Sequence, residues 1–234
     1  MNDAPTWVID PPSQPSLPVV GERGRFPVRR IFCVGRNYAA HAREMGHDPD
    51  REPPFFFTKP ADALVPDGAT IAYPPATESL HFEAELVVAI GEGGVEIDAA
   101  HALDHVFGYA IGNDLTRRDV QAAAKKLGRP WDMAKGFDRS APCGPLHGAA
   151  DIGHLSHGKF TLSVNGVVLQ DADLADMIWS VPEVISHLSS LVELQPGDLI
   201  MTGTPAGVGA LEKGDSCVVE IATLGRLTTH IAVS

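Results

Sequence analysis

Two glutamates, Glu83 and Glu85, stand two positions apart in the mainly apolar run 80–90. If this run is a strand, side chains two apart share a face, so both carboxylates and the imidazole of His81 point the same way. Two carboxylates this close are costly unless a proton or a cation lies between them. The pair therefore indicates either a divalent-cation site or a half-buried strand with a solvated polar face, and this run alone does not decide between them.

Asp114 favours the cation site. It comes where a predicted buried strand, 106–112, gives way to a predicted helix, and a carboxylate there can point into a cleft, although alone it is more typical of a turn. Three carboxylates with open coordination positions suit a hard cation such as Mg²⁺ or Mn²⁺ and not zinc. His81 is a weaker candidate ligand, because packing beside a ligand is the more common role of such a residue.

A second candidate pair is His41 with Glu44, three residues apart on a predicted short helix that Asn37 can cap. A carboxylate that holds an imidazole raises its basicity and fixes its tautomer, as in a general base with its orienting partner. A pair on a solvent-exposed helix would have the same spacing. The residues alone therefore favour that simpler interpretation.

Three cations, Lys59, Arg118 and Lys135, each follow an apolar or aromatic stretch that could bring them to the edge of a cleft. Taken singly, each is more often an ordinary surface cation. The sequence has no GxSxG motif, no HExxH motif and no phosphate-binding loop with its lysine. Hydrolysis through a serine or cysteine nucleophile is therefore poorly supported.

The elements that must position these residues are mostly short strands separated by turns. The dipeptide Asn165-Gly166 between two β-rich runs predicts a hairpin with a type I′ turn. One helix is predicted over 116–128, with Thr116 as its N-cap. A second helix is predicted to begin after Ser180, which is its N-cap. Many short strands and few helices predict a mostly β domain.

Length and composition predict one domain. The chain has 234 residues, of which 44% are hydrophobic, so it can bury a full core without disulfides. Residues 1–27 are rich in proline and predict an extended arm that lies on the domain or on a partner subunit. Residues 28–234 then form the folded domain.

Charge and cysteine content restrict the class of protein. The three cysteines are far apart and indicate buried thiols in a reducing compartment. The N-terminus has no basic leader and no apolar run is long enough to span a membrane, so a cytoplasmic protein is expected. A net charge of −12 argues against nucleic acid as a partner. It does not exclude a small anionic substrate in a cleft with local cations.

Taken in order, these residues resemble the fumarylacetoacetate hydrolase superfamily from about Ile31 to the C-terminus. The motifs are specific through their order and spacing, although none is decisive alone. They are Val34-Gly35-Arg36-Asn37-Tyr38 with His41 and Glu44, Phe57-Thr58-Lys59-Pro60, His81-Phe82-Glu83-Ala84-Glu85-Leu86, Asn113-Asp114 with Thr116, Arg118, Asp119 and Gln121, Pro130-Trp131 with Lys135, and Thr202-Gly203-Thr204-Pro205-Ala206-Gly207-Val208-Gly209. Within the superfamily the chain looks most like the small acylpyruvate hydrolases, and residues 45–60 look like fumarylpyruvate hydrolases of bacterial gentisate degradation.

The resemblance implies a mostly β fold of the α+β class, a mixed β-sheet roll or sandwich with a few short helices, over a catalytic domain at 28–234. It also implies a homodimer and a role for each matching residue. The Mg²⁺ (or Mn²⁺) ligands would be Glu83, Glu85 and Asp114, the catalytic residues His41, Glu44 and Lys135, and the substrate-binding residues Arg36, Lys59, Arg118, Gln121 and Thr204. Relatives often have Asp at the position of Ala40, where no function is expected here.

The implied substrate is a small anionic 2-oxo or 2,4-dioxo acid, with its 1-carboxylate and 2-oxo group at the metal. His41, oriented by Glu44, would take a proton from the water that attacks C4, and Lys135 with Gln121 would stabilise the oxyanion. Fumarylpyruvate would give fumarate and pyruvate. Oxaloacetate decarboxylation, isomerisation or decarboxylation of a ring-opened dienoate, and a catalytically silent metal-binding protein are the alternatives.

Overall fold

The computed structural model describes residues 6–44 and 52–233, with only the backbone of residues 42–44. No helix in these ranges combines the length and the apolar character that crossing a membrane requires. The strands are short and follow one another closely along the chain. They are β1 (Ser16–Pro18), β2 (Arg25–Pro27), β3 (Arg30–Gly35), β4 (Phe55–Lys59), β5 (Leu64–Val65), β6 (Ala69–Ile71), β7 (Leu80–Phe82), β8 (Ala84–Ile90), β9 (Val106–Asn113), β10 (Thr116–Arg117), β11 (Ala141–Pro142), β12 (His147–Gly148), β13 (Lys159–Val164), β14 (Val167–Asp173), β15 (Asp198–Met201), β16 (Gly209–Leu211), β17 (Ser216–Ile221) and β18 (Gly225–Ile231).

The helices are few and short. The α-helices are α1 (Ala39–Glu44), α2 (Arg118–Lys126), α3 (Asp132–Lys135), α4 (Ala149–Ile152) and α5 (Val181–Ser189), and single 3₁₀ turns lie at Ala61–Ala63, Ala102–His105 and Leu174–Asp176. The site residues of interest lie at the ends of strands or on α1, α2 and α3.

The two largest sheets form the body of the domain. One has six strands in the order β12-β9-β8-β15-β3-β4, and the other has five in the order β14-β13-β17-β18-β6. A small sheet, β10-β7-β16, and the pairs β1-β2 and β11-β5 complete the described strands. Most neighbours are antiparallel, but three pairs are parallel: β15 with β3, β18 with β6, and β11 with β5. The prediction of a mostly β, mixed-sheet α+β fold with few short helices is confirmed.

The central strand β8 is buried on both faces, which explains its continuous apolar sequence. Leu86 and Val88 pack in the larger core, together with side chains of the five-stranded sheet such as Phe160. The intervening Val87 and Ala89 pack in a second core on the opposite face. The six-stranded sheet is therefore covered by a core on both faces, and β8 lies between two neighbouring strands, β9 and β15.

Part of the predicted N-terminal arm, 1–27, is a hairpin. Strand β1 pairs with β2 in antiparallel fashion, and Leu17 and Phe26 are buried in the second core. This segment departs from a plain extended arm because pairing satisfies its backbone groups while its two apolar side chains leave water. The domain boundary at residue 28 stays a prediction.

Two local predictions are confirmed. In the β13–β14 hairpin Val164 lies opposite Val167, and the turn residues Asn165 and Gly166 have φ values of 52° and 82°, as a type I′ turn requires. Helix α5 begins after Ser180 in a capping box.

The predicted N-cap of α2 is wrong. Helix α2 begins at Arg118, because Thr116 belongs to β10 and pairs with His81 of β7. The predicted cap Asn37 does not serve α1 in this way either. Its side chain instead accepts a hydrogen bond from the amide of Trp179 at 2.7 Å. In both cases a contact distant in sequence replaces the local capping bond.

Candidate active site

The carboxylates of Glu83 and Asp114 come together because β8 pairs with β9. In this antiparallel pair Ala84 lies opposite Asn113, so the residue before β8 lies beside the residue after β9. The Asp114 amide donates to the Glu83 carbonyl at 2.8 Å, and the Glu83 amide donates to Asn113 Oδ1 at 3.0 Å. Glu85 follows within β8. The register of one strand pair thus determines the position of two of the three acidic residues.

The run 80–90 is two strands and not one. It breaks at Glu83, so that β7 joins the three-stranded sheet and β8 joins the six-stranded sheet. His81 does not belong to the acidic group. Glu83, Glu85 and Asp114 nevertheless offer oxygen atoms that all lie within 4.8 Å of one another, and all three side chains are buried. A buried set of three hard oxygen donors fits Mg²⁺ or Mn²⁺.

Three cations contact this acidic group. Lys135 Nζ donates to Glu83 Oε2 at 2.7 Å and to Asp114 Oδ2 at 2.6 Å. Arg118 Nη2 donates to Glu83 Oε1, and Lys59 Nζ lies 2.8 Å from Asp114 Oδ1. Both lysines are only 2% exposed. The predicted substrate-binding residue Lys59 therefore lies beneath the acidic group, where it supports Asp114.

The pKa values of the two glutamates are shifted in opposite directions by their surroundings. Burial raises the pKa of the Glu83 carboxyl, but the charges of Lys135 and Arg118 outweigh burial, and its pKa falls below the ordinary value. For Glu85, burial and the neighbouring carboxylates of Asp114 and Glu83 raise the pKa well above the ordinary value. A further positive charge beside Glu85 would therefore favour its ionised form.

A cavity opens beside the acidic group. It is lined by most of the site residues predicted from the sequence, which come from six separate segments. These are Arg36, His41, Glu83, Glu85, Arg118, Gln121, Lys135 and Thr204. This cavity combines convergent polar and charged groups with the aromatic rings of Phe55, Phe57 and Trp131, which suits a small anionic ligand.

His41 lines the cavity from α1 and is 7% exposed. The side chain of Glu44 lies outside the described residues, so the pairing of Glu44 with His41 stays a prediction. Gln121 lies on α2, three residues after Arg118, and Arg118 Nη1 donates to Gln121 Oε1 at 2.7 Å. This bond holds the first turn of α2 over the cavity.

The loop after β15 closes the inner end of the cavity. Strand β15 pairs with β8, so the chain that follows Met201 passes Glu85. The Gly203 amide donates to Glu85 Oε2 at 2.7 Å. Gly203 has a φ of +99°, and a Cβ there would lie 2.7 Å from Asn37 Cβ. Only glycine fits this close approach without a shift of the chain.

Gln170 supports this loop from β14, and the sequence did not single it out. Its side chain is 1% exposed. It donates to Thr204 Oγ1 at 2.9 Å and to the Pro205 carbonyl at 2.8 Å, and it accepts from the Ala84 amide at 3.1 Å. Gln170 therefore connects the Thr204 loop to the residue between the two glutamates. Its neighbours in sequence are exposed, so no local pattern marks it.

Two further cations, here called the outer cations because they form no ion pair with the acidic group, line the same cavity. Arg36 has a left-handed backbone conformation, with φ of 60°, and its guanidinium carbon lies 5.2 Å from the centre of the Phe55 ring. Lys125, on α2, has its Nζ 5.0 Å from the centre of the Trp131 ring. The sequence did not single out Lys125. The signal available was its spacing, since Lys125 lies four residues after Gln121 and so shares its helix face.

The sequence and the structure were compared with known proteins. Residues 30–232 match the family model "Fumarylacetoacetate (FAA) hydrolase C-terminal". The crystal structure of fumarylpyruvate hydrolase from Pseudomonas aeruginosa in complex with Mn²⁺ and pyruvate is similar to this chain, with a TM-score of 0.95 and 52% sequence identity. The match covers 98% of this chain and 100% of that chain.

Two relatives known by sequence carry different activities in their names. Fumarylpyruvate hydrolase of Ralstonia sp is 41% identical over 192 residues, which cover 80% of this chain and 98% of the relative. Oxaloacetate tautomerase FAHD1, mitochondrial, of Bos taurus is 42% identical over 187 residues, which cover 80% of this chain and 84% of the relative. With a family model that spans nearly the whole chain and relatives at this identity, the chain belongs to the fumarylacetoacetate hydrolase family.

Proposed function

We propose that this protein is a metal-dependent hydrolase that cleaves the C3–C4 bond of a 2,4-dioxo acid, with fumarylpyruvate as substrate and fumarate and pyruvate as products. The observation that carries the proposal is the buried group of Glu83, Glu85 and Asp114 at the inner end of a cavity that His41 and other polar side chains line. The likeness of this chain to the Pseudomonas aeruginosa fumarylpyruvate hydrolase, which was crystallised in complex with Mn²⁺ and pyruvate, supports the choice of substrate.

The three carboxylates would hold Mg²⁺ or Mn²⁺. When bound, the ion supplies Lewis-acid stabilisation of negative charge at the 2-oxo acid end of the substrate. The raised pKa of Glu85, whose causes are burial and its two acidic neighbours, fits this assignment, because a divalent cation would relieve the repulsion that favours the proton. Among the described residues, the acidic group consists of these three donors.

His41 serves as the general base. It is the only imidazole among the described residues that line the cavity. It takes a proton from a water molecule, whose oxygen adds to the C4 carbonyl, and Glu44 orients it. Lys135, which is buried and lines the same cavity, stabilises the resulting negative charge together with Gln121. Burial lowers the pKa of Lys135, but the carboxylates of Asp114 and Glu83 outweigh burial and keep the ammonium charged.

Collapse of this adduct breaks the C3–C4 bond. The oxygen from water stays on the acyl carbon, which leaves as a carboxylate. The electron pair of the broken bond goes to C3, which gives the enolate of pyruvate, and a proton then converts this enolate to pyruvate. Arg118 and Thr204 are placed along the cavity wall to bind substrate oxygens, and Arg118 also neutralises Glu83.

The setting of this reaction follows from the same proposal. We place it in the bacterial breakdown of aromatic compounds through gentisate, in the cytoplasm, with the protein as a homodimer. The sequence of residues 45–60, which resembles fumarylpyruvate hydrolases of bacterial gentisate degradation, supports the pathway. The three buried, unpaired cysteines fit a reducing compartment.

The second candidate is tautomerisation of oxaloacetate. The Bos taurus relative of that name favours it. This reaction needs the same anchor for a 2-oxo acid and a base that moves a proton at C3, but it needs no attacking water. The two candidates therefore differ in whether His41 activates water or removes a proton from carbon.

The test compares fumarylpyruvate, acetylpyruvate and oxaloacetate in parallel with purified protein and Mg²⁺ or Mn²⁺. Hydrolysis is followed by loss of the diketo absorbance and by pyruvate release, and tautomerisation by the change in enol absorbance. His41→Ala should reduce hydrolysis by about 10²–10⁴-fold. His101→Ala, at an exposed histidine that does not line the cavity, is the control and should retain activity. Absence of pyruvate from both acylpyruvates would exclude the hydrolase.

A further inference from the structure

The cations of the cavity divide into an inner and an outer set. The inner set, Lys59, Lys135 and Arg118, is paired with the carboxylates of Glu83 and Asp114. The outer set consists of two residues, Arg36 and Lys125, that also line the cavity. Among residues 6–41 and 52–233, whose side chains are described, no carboxylate lies within ion-pair distance of either outer cation. Arg36 and Lys125 are therefore the two cations of the cavity lining that form no ion pair with a described carboxylate.

Aromatic rings hold the two outer cations in place. The guanidinium of Arg36 lies over Phe55, and the ammonium of Lys125 lies over Trp131. The two rings pack edge to face, with their centres 5.4 Å apart. A pair of like charges supported on two touching rings costs free energy unless an anion lies between them. Consistent with this, burial and the charges of Arg118 and Arg36 lower the pKa of Lys125.

The same rings connect the outer end to the inner end. The ring centre of Phe57 lies 5.9 Å from that of Trp131, and Lys135 Nζ lies 4.9 Å from the Phe57 ring centre. A strip of aromatic surface, formed by Phe57, Trp131 and Phe55, therefore runs from Lys135 to the outer cations. A flat, unsaturated carbon chain fits such a strip, and a charged group at the far end of this chain would meet the outer cations.

We infer that Lys125, together with Arg36, forms a second anion-binding subsite that recognises a carboxylate at the far end of the acyl group. The substrate class is then the acylpyruvates that carry two carboxylates, and Lys125 determines the preference for them over acylpyruvates with an uncharged acyl group. This inference rests on the proposed function for the reaction at the inner end. The recognition itself is a matter of binding and can be tested without turnover.

The binding test uses 2-oxoheptanedioate and 2-oxoheptanoate, which share chain length and the 2-oxo acid end and differ only in the terminal carboxylate. Titration calorimetry with Mn²⁺-loaded protein should show that the dianion binds about 10- to 100-fold more tightly, the range expected for hydrogen bonds to a charged group. Lys125→Met keeps most of the side-chain length and removes the charge, so it should abolish this preference. Lys126→Met is the matched control, because Lys126 is the next residue of α2 and does not line the cavity.

The kinetic test measures kcat/KM for fumarylpyruvate and acetylpyruvate with the same three proteins. Lys125→Met should lower the ratio of fumarylpyruvate to acetylpyruvate by about 10- to 100-fold, chiefly through a higher KM for fumarylpyruvate. Equal losses on both substrates, or an unchanged binding preference in Lys125→Met, would overturn the subsite. If the wild type hydrolyses neither acylpyruvate but still prefers the dianion, the proposed function fails while the subsite stands. If the wild type hydrolyses acylpyruvates without any preference for the dianion, the subsite fails while the proposed function stands.

Discussion

Replacing Gln170 with leucine tests whether the buried amide that joins the Thr204 loop to β8 stabilises the fold. The substitution removes one acceptor and one amide donor that makes two contacts. The Ala84 amide and the Pro205 carbonyl then lose the partner that Gln170 supplies. Gln170 is 1% exposed, so water cannot readily replace this partner.

The magnitude follows from the groups left without a partner. Each buried backbone group that loses its hydrogen bond costs about 1–3 kcal/mol. The apolar leucine offsets part of this, because it needs no partner itself, so the free energy of unfolding should fall by about 2–4 kcal/mol. For a domain of this size, such a loss lowers the Tm by roughly 5–15 °C.

The loss should extend to the metal site, because Ala84 lies between Glu83 and Glu85. Urea unfolding gives the free energy, and Mn²⁺ titration gives the affinity, which should fall together with stability. Gln170→Glu, with the buried carboxyl protonated, retains an acceptor for the Ala84 amide and one donor, so it should lose less. Asp171→Asn changes the exposed neighbouring residue and should change neither quantity. The reasoning is refuted if Gln170→Leu unfolds within about 1 kcal/mol of the wild type, since that is the least cost of one unsatisfied group.

Three further results are expected. Glu85→Gln should lower the Mn²⁺ affinity measured by equilibrium dialysis. The loss should exceed the factor of about 10 to 100 that is typical when a group that only supports a ligand is removed. Unchanged affinity would show that Glu85 is not a ligand. Gly203→Ala should reduce the free energy of unfolding in urea by about 1–3 kcal/mol, because the left-handed backbone and the contact with Asn37 Cβ exclude a side chain. Gly225→Ala is the control: Gly225 also has a positive φ, but its Cβ would point into open space, so this variant measures the backbone strain without the contact. The three cysteines are buried, and burial raises the pKa of Cys143 to about 12. A thiol reagent at pH 8 should therefore label none of them before unfolding and all of them afterwards. Rapid labelling of the native protein would contradict their burial.

The acidic group could be predicted from the sequence because its signals are local. Glu83 and Glu85 stand two apart, and Asp114 follows a strongly apolar strand. The three carboxylates lie close together only because the strand register sets Ala84 opposite Asn113, and no local sequence pattern predicts this register. The break of the strand at Glu83 also escaped prediction, since the residues on both sides suit a single strand.

The residues that were missed or given the wrong role act through contacts outside their own helix or strand. Gln170 lies 86 positions from Ala84, and nothing in its neighbourhood distinguishes it from a surface residue of an edge strand. Thr116 carries the side chain of a good N-cap, but pairing with His81 satisfies its backbone in a strand instead. Lys125 looks like any lysine near the end of a helix until the fold brings Trp131 against it. In each case the tertiary partner, and not the local preference, decides the role.

The ion pairs that Lys59, Lys135 and Arg118 make with Glu83 and Asp114 bear on the order of assembly. In a zinc finger the ligands repel or remain loose until the ion arrives, so the chain cannot fold first. Here three internal cations already hold two of the acidic side chains in place, and the Gly203 amide holds the third. The polypeptide can therefore complete its fold before an ion binds. Treatment with a chelator should then yield a folded protein that takes up a fresh ion.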